Sequence, residues 1–150
     1  MDVIMTAAVT ANGMIAHDTR ETVSWSQDLR LFRDQTMGQT VIMGSTTAST
    51  LATELDRREV VVMHRDSDLT ELLANVKTPK CFVIGGSRTY TRFAPFLTHV
   101  YLTYHPLIFP SRSVPLFSGL QRDILLQFDR MVQADAQNGI YQFQYRVLGN

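Results

Sequence analysis

Short apolar runs of strand length recur along this chain, and the segments between them have helical spacing. That alternation constrains the fold more than any other feature. The runs are 3–9 (VIMTAAV), 41–43 (VIM), 59–63 (EVVVM), 81–84 (CFVI) and 100–104 (VYLTY). Helices are expected over 26–36, 44–55, 69–76 and 87–93, the last closed by Pro95. Strands alternating with helices imply an α/β fold with a mainly parallel central sheet flanked by helices. The pattern changes near the end of the chain. Residues 126–132 and 140–147 alternate in polarity around Asn138-Gly139, a favoured hairpin turn pair, and should add an antiparallel hairpin to the sheet.

The 150 residues suffice for one domain, expected over 1–150, and are few for two. Fourteen basic and fourteen acidic side chains leave no net charge, so nothing favours nucleic acid or an anionic membrane surface as a partner. No apolar run approaches the ~20 residues that cross a bilayer. The start of the chain lacks the basic segment and cleavage site of a secretory signal. A lone cysteine, Cys81, excludes an internal disulfide and fits a reducing, cytoplasmic setting. His17, His64, His99 and His105 have no metal-ligand spacing among themselves or with Cys81, so no metal is expected.

One acid stands out. At about 100° per residue, the helix expected over 26–36 puts Trp25, Leu29, Leu31 and Phe32 on one arc, with Asp28 inside it. A carboxylate on an apolar face is costly unless it is paired, protonated or used. A structural reading also fits, because Ser24 and Gln27 have capping-box spacing and an anion suits the first turn. Two other places have a strand, then glycine, then a helix start rich in hydroxyls: Met43-Gly44-Ser45-Thr46-Thr47 and Ile84-Gly85-Gly86-Ser87-Arg88. Free N–H groups there suit a phosphate, yet Gly-Ser/Thr is equally an ordinary cap.

Taken in order, TAAVTANGMIA, W-x-x-DLRLF, TMGQTVIMGSTT, RREVVVM, FVIGGSRTY and VYLTY resemble the dihydrofolate reductase family over residues 1 to about 105. The fold is shared with the riboflavin-pathway pyrimidine reductases, which the segments SVPLF and GIYQFQYRV also resemble. The resemblance implies a single-domain fold of this type and NADPH-dependent reduction of 7,8-dihydrofolate to 5,6,7,8-tetrahydrofolate. In that scheme Asp28 is the catalytic acid that grips the pterin and promotes protonation at N5. Thr6, Ala8, Phe32, Leu55, Arg58 and Thr103 fall at substrate positions, with Phe32 against the pterin and Arg58 toward the glutamate carboxylate. Ala8, Ile15, Gly44, Ser45, Thr46, Thr47, His64, Arg65, Ile84, Gly85, Gly86, Ser87, Arg88 and Tyr90 fall at cofactor positions. The resemblance also implies a cis peptide between Gly85 and Gly86, and Ile15 and Trp25 at the two ends of a covering loop.

The sequence departs from the family pattern in three places. Ser45 stands where a basic residue usually meets the 2′-phosphate of NADPH, leaving His64, Arg65 and Arg88 to supply charge. The covering loop is short, and PLIFPSRSVPLF replaces the usual Gly-Asp-x-x-Phe-Pro segment. Two alternatives accompany the reductase reading: a riboflavin-pathway 5-amino-6-ribosylaminouracil-type reductase, whose phosphate Arg57-Arg58 would meet, and a non-catalytic pterin- or nucleotide-binding module. The expected assembly is a monomer or a homodimer.

Overall fold

The computed structural model describes residues 1–51 and 54–149, and its apolar runs pair into a seven-stranded sheet. In chain order the elements are β1 (Asp2–Thr10), β2 (Met14–Ala16), α1 (Leu29–Thr36), β3 (Thr40–Gly44), α2 (Ser45–Thr50), β4 (Glu59–Met63), α3 (Leu69–Ala74), β5 (Lys80–Val83), α4 (Ser87–Phe93), β6 (His99–His105), β7 (Val114–Pro115), β8 (Leu125–Asp135) and β9 (Ile140–Leu148). The strand order is β4-β3-β5-β1-β6-β9-β8. The β3/β4, β3/β5, β1/β5 and β1/β6 pairs are parallel, while β6/β9 and β8/β9 are antiparallel.

β1 is apolar along nearly its whole length because it is covered on both faces, as a central parallel strand must be. Val3, Met5, Ala7 and Val9 point into a core shared with Val83, Val100 and Leu102 of the sheet, Leu69 of α3 and Phe93 of α4. The alternate residues Ile4, Thr6, Ala8 and Thr10 belong to the other face, where Ala8 is level with Thr103 and Thr10 with His105. On that face α1 is tied to β9, Gln35 Nε2 donating to Gln142 Oε1 at 2.7 Å.

The elements differ from expectation mainly at their ends. α1 starts at Leu29 rather than at residue 26, and Leu29 is half exposed. α2 stops at Thr50; residues 52–53 of the longer helix expected there lie outside the described residues. The β2/β7 pair was not expected, since β7 is two residues long and includes Pro115. The hairpin joins through a 3₁₀ turn, Ala136–Asn138, and Gly139 at φ +71°, a left-handed position that favours glycine.

Candidate active site

Ligands of open α/β sheets bind beyond the carboxyl ends of the strands, and here those ends border one cavity of about 930 Å³. Asp28, Phe32, Thr6 and Ala8 line one part of it; Gly44, Gly85, Gly86 and Tyr90 line another. The acid and the glycine pair, separated by more than fifty residues of sequence, therefore face the same space.

Asp28 is the N-cap residue of α1, with φ −116° and ψ 14°, and its side chain caps nothing. The capping box of Ser24 and Gln27 does not form. Instead the Gln27 N–H donates to His105 Nε2 at 2.9 Å. His105 is itself buried, with Nδ1 2.9 Å from the Thr103 carbonyl. One ring thus bridges the segment before α1, through Nε2, and β6, through Nδ1. Trp25 stands edge-on to that ring at 5.2 Å. This tether, rather than a helix cap, sets where Asp28 lies.

Asp28 is 9% exposed. Burial raises its pKa above the ordinary carboxylate value, opposed by His105, the Thr103 hydroxyl and the residue's own backbone N–H. Thr103 Oγ1 is fully buried and makes no hydrogen bond of normal geometry among the described residues, despite lying near enough to favour the charged acid. A buried hydroxyl without a partner is costly, so its nearness to the Asp28 carboxyl is the interaction open to it. Tyr90 is also buried and donates to the Thr6 carbonyl at 2.7 Å. Burial, and then the negative Asp28, push its phenol upward, so it stays a donor.

Both helix starts on the other side of the cavity are led by glycine. Gly44 caps α2 and Gly86 caps α4, neither with a side-chain cap, so Ser45 and Ser87 are first-turn residues and not caps. The glycines themselves are the caps, and no hydroxyl side chain caps either helix. The first-turn N–H groups are the kind of donors that bind phosphate. Gly44 N–H donates to the Gly85 carbonyl at 2.9 Å, and the Gly85–Gly86 peptide is cis. A Cβ on Gly44 would fall 2.6 Å from Thr89 Oγ1, so the close approach of α4 requires glycine there. Ile15, Ser45, Thr46, Thr47, Ile84, Ser87, His64, Arg65 and Arg88 line the same cavity. Arg65 and Arg88 form no ion pair among the described residues.

Three expected site residues do not line it. Thr103 sits beneath Asp28. Leu55 lies off the cavity, and Arg58 is buried elsewhere: its side chain is 1% exposed. Its Nε donates to Thr36 Oγ1 at 3.2 Å, and its Nη atoms reach the carbonyls of Glu54, Asp56 and Arg33. Arg57 points outward, paired with Asp56. Sequence reasoning missed His105, although it is two residues beyond Thr103 and so on the same strand face. It also missed Arg92, which holds the 64–67 turn through the His64 and Ser67 carbonyls. Glu21 was missed as well: it accepts from the Trp25 indole and the His17 N–H and so braces the covering loop. The segment that departs from the family pattern brings Ser113, Val114 and Pro115 to the cavity wall.

The sequence profile of dihydrofolate reductase matches residues 2–108, more than two thirds of the chain. The chain belongs to the dihydrofolate reductase family. It is 30% identical to dihydrofolate reductase of Bacillus subtilis (strain 168) over 108 residues, a match that spans 64% of each chain and so just under two thirds of that protein. It is 28% identical to dihydrofolate reductase type 8 of Escherichia coli over an alignment of 156 positions, covering 89% of this chain and 85% of that one. A solved structure of dihydrofolate reductase from Enterococcus faecalis, complexed with NADP(H) and RAB-propyl, has the same fold. It superposes with a TM-score of 0.74 at 18% identity, covering 98% of this chain and 96% of that chain.

Proposed function

We propose that this member of the dihydrofolate reductase family reduces 7,8-dihydrofolate to 5,6,7,8-tetrahydrofolate, using NADPH, with Asp28 as the group that binds the pterin and supplies its proton. The observation that carries the reading is the buried carboxyl of Asp28 opening onto the cavity that the paired glycines also line.

NADPH, when bound, supplies the hydride. The residues present fit it. Gly44, Gly85 and Gly86 let the backbone approach closely, and the first-turn N–H groups of α2 and α4 offer phosphate donors. Arg65, Arg88 and His64 supply positive or polar character for the 2′-phosphate that Ser45 cannot pair with. Ala8, Ile15 and Tyr90 then border the nicotinamide. On the substrate side Thr6, Ala8 and Phe32 wall the pterin, and Asp28, backed by Thr103, holds its polar edge. Desolvation keeps a proton on or near Asp28 at a pH where an exposed carboxyl would have none, which serves protonation of N5. Arg58 spends most of its donors on protein carbonyls, so a substrate carboxylate would have to compete for them, and Leu55 would act only from outside the cavity. The arginines lining the cavity, Arg65, Arg88 and Arg92, follow β4 or belong to α4. Since neither Arg57 nor Arg58 lines it, the phosphate-ended pyrimidine is the poorer fit. We place the reaction in the cytoplasm, where the single buried thiol suits reducing conditions.

The deciding assay follows loss of reduced-nicotinamide absorbance with each of two substrates and two cofactors. The proposal predicts rapid loss with dihydrofolate and NADPH, slower loss with NADH, and little with the ribosylaminopyrimidine. Turnover of the pyrimidine alone would make the chain a pyrimidine reductase. Ligand-induced stabilisation without turnover would make it a binding module.

A further inference from the structure

We infer that β8 pairs with the β8 of a second copy of this chain, forming a two-fold dimer centred on Asp129 and Arg130. β8 is the last strand of the sheet and pairs only with β9 among the described residues, so one edge of its backbone is open. Its eleven residues, LLQFDRMVQAD, include no lysine or proline to blunt that edge, which is interrupted by bulges at Phe128/Arg130 and Gln133/Asp135. They are also unusually bare: Phe128 is 56% and Met131 53% exposed.

The register makes the strand complementary to itself. Leu126, Phe128 and Met131 lie opposite Val147, Tyr145 and Phe143, which puts all three on one face. A bulge between Phe128 and Arg130 lets Asp129 and Arg130 share one step of β9, and both border the small hollow beside Tyr101 and Gln144 on the opposite face. Antiparallel pairing about that bulge sets Phe128 against Met131 of the second copy and Asp129 against its Arg130. Apolar meets apolar and acid meets base, twice over by symmetry. The exposed Asp129–Arg130 pair within one chain, at 3.4 Å, would exchange partners. A chain of zero net charge adds no overall repulsion.

Light scattering on the full chain, from about 1 to 100 µM, tests this. The expected mass is 34.0 kDa, twice the 17.0 kDa of one chain, falling toward one chain on dilution. Phe128→Asp with Met131→Glu, which sets like charges against each other, should give 17.0 kDa throughout, with an unchanged circular dichroism spectrum. Asp129→Arg alone and Arg130→Asp alone place like charges together and should weaken the dimer at least tenfold, while the two together restore it. A wild-type mass of 17.0 kDa at every concentration would overturn the proposal, as would single charge reversals that leave the dimer intact.

Discussion

At the scale of single residues, Asp28 sets the terms. Its pKa is raised in the folded chain, so its contribution to stability is full below the ordinary carboxylate pKa and is lost as pH rises through the raised value. At neutral pH the charged form is held buried at a cost. Asp28→Asn should therefore melt at a higher temperature than wild type at neutral pH, and the two melting curves should converge in acid. His105 holds the segment before Asp28 in place, so His105→Leu strands the Gln27 N–H. That should cost about 1–3 kcal/mol in denaturant unfolding and slow hydride transfer, while leaving the affinity for NADPH nearly unchanged. Tyr90→Phe removes a buried hydrogen bond to Thr6 and should cost about 1 kcal/mol by the same measurement. Asp28 was visible in the sequence as an acid among apolar neighbours. His105 was not, because its partner Gln27 is 78 residues away and only the sheet brings the two together.

At the scale of elements, the glycine-led helix starts carry the cofactor side. Gly44→Ala forces a Cβ against Thr89, which is buried in the first turn of α4 and has little room to move. Destabilisation of about 1–3 kcal/mol is expected, together with weaker NADPH binding in a fluorescence titration, because the two starts must separate. The strand–glycine–helix pattern was legible, and so was the cis Gly85–Gly86 bond that the family resemblance implied. The start of α1 was misplaced for a specific reason. Ser24 and Gln27 have capping spacing, but a tertiary bond to His105 competes for the backbone and wins. Leu29, now the first helical residue, is left half exposed at the cavity. The resemblance put Arg58 toward the substrate's glutamate carboxylate; only the fold shows it clamping the 54–56 segment to α1.

At the scale of the molecule, the order of strands and helices was readable because each period is strong: 2 or fully apolar for strands, 3.6 for helices. What remained hidden were contacts between distant, weakly patterned segments. β2 and β7 are such a pair, and the Glu21 brace of the covering loop is another. Cys81, at the centre of the sheet, reports on the whole: burial pushes its thiol up to about 11 and leaves no exposed surface. Alkylation should therefore proceed only through global unfolding, with a rate that rises in step with the unfolded fraction. The account as a whole requires the buried acid and the glycine cradle to act on one bound pair of ligands. The most direct test is single-turnover hydride transfer from NADPH to dihydrofolate, comparing wild type with Asp28→Asn across pH. The account predicts a variant slowed by about 10²–10⁴-fold at neutral pH, with the gap narrowing in acid where the substrate brings its own proton. Equal rates at neutral pH would contradict it.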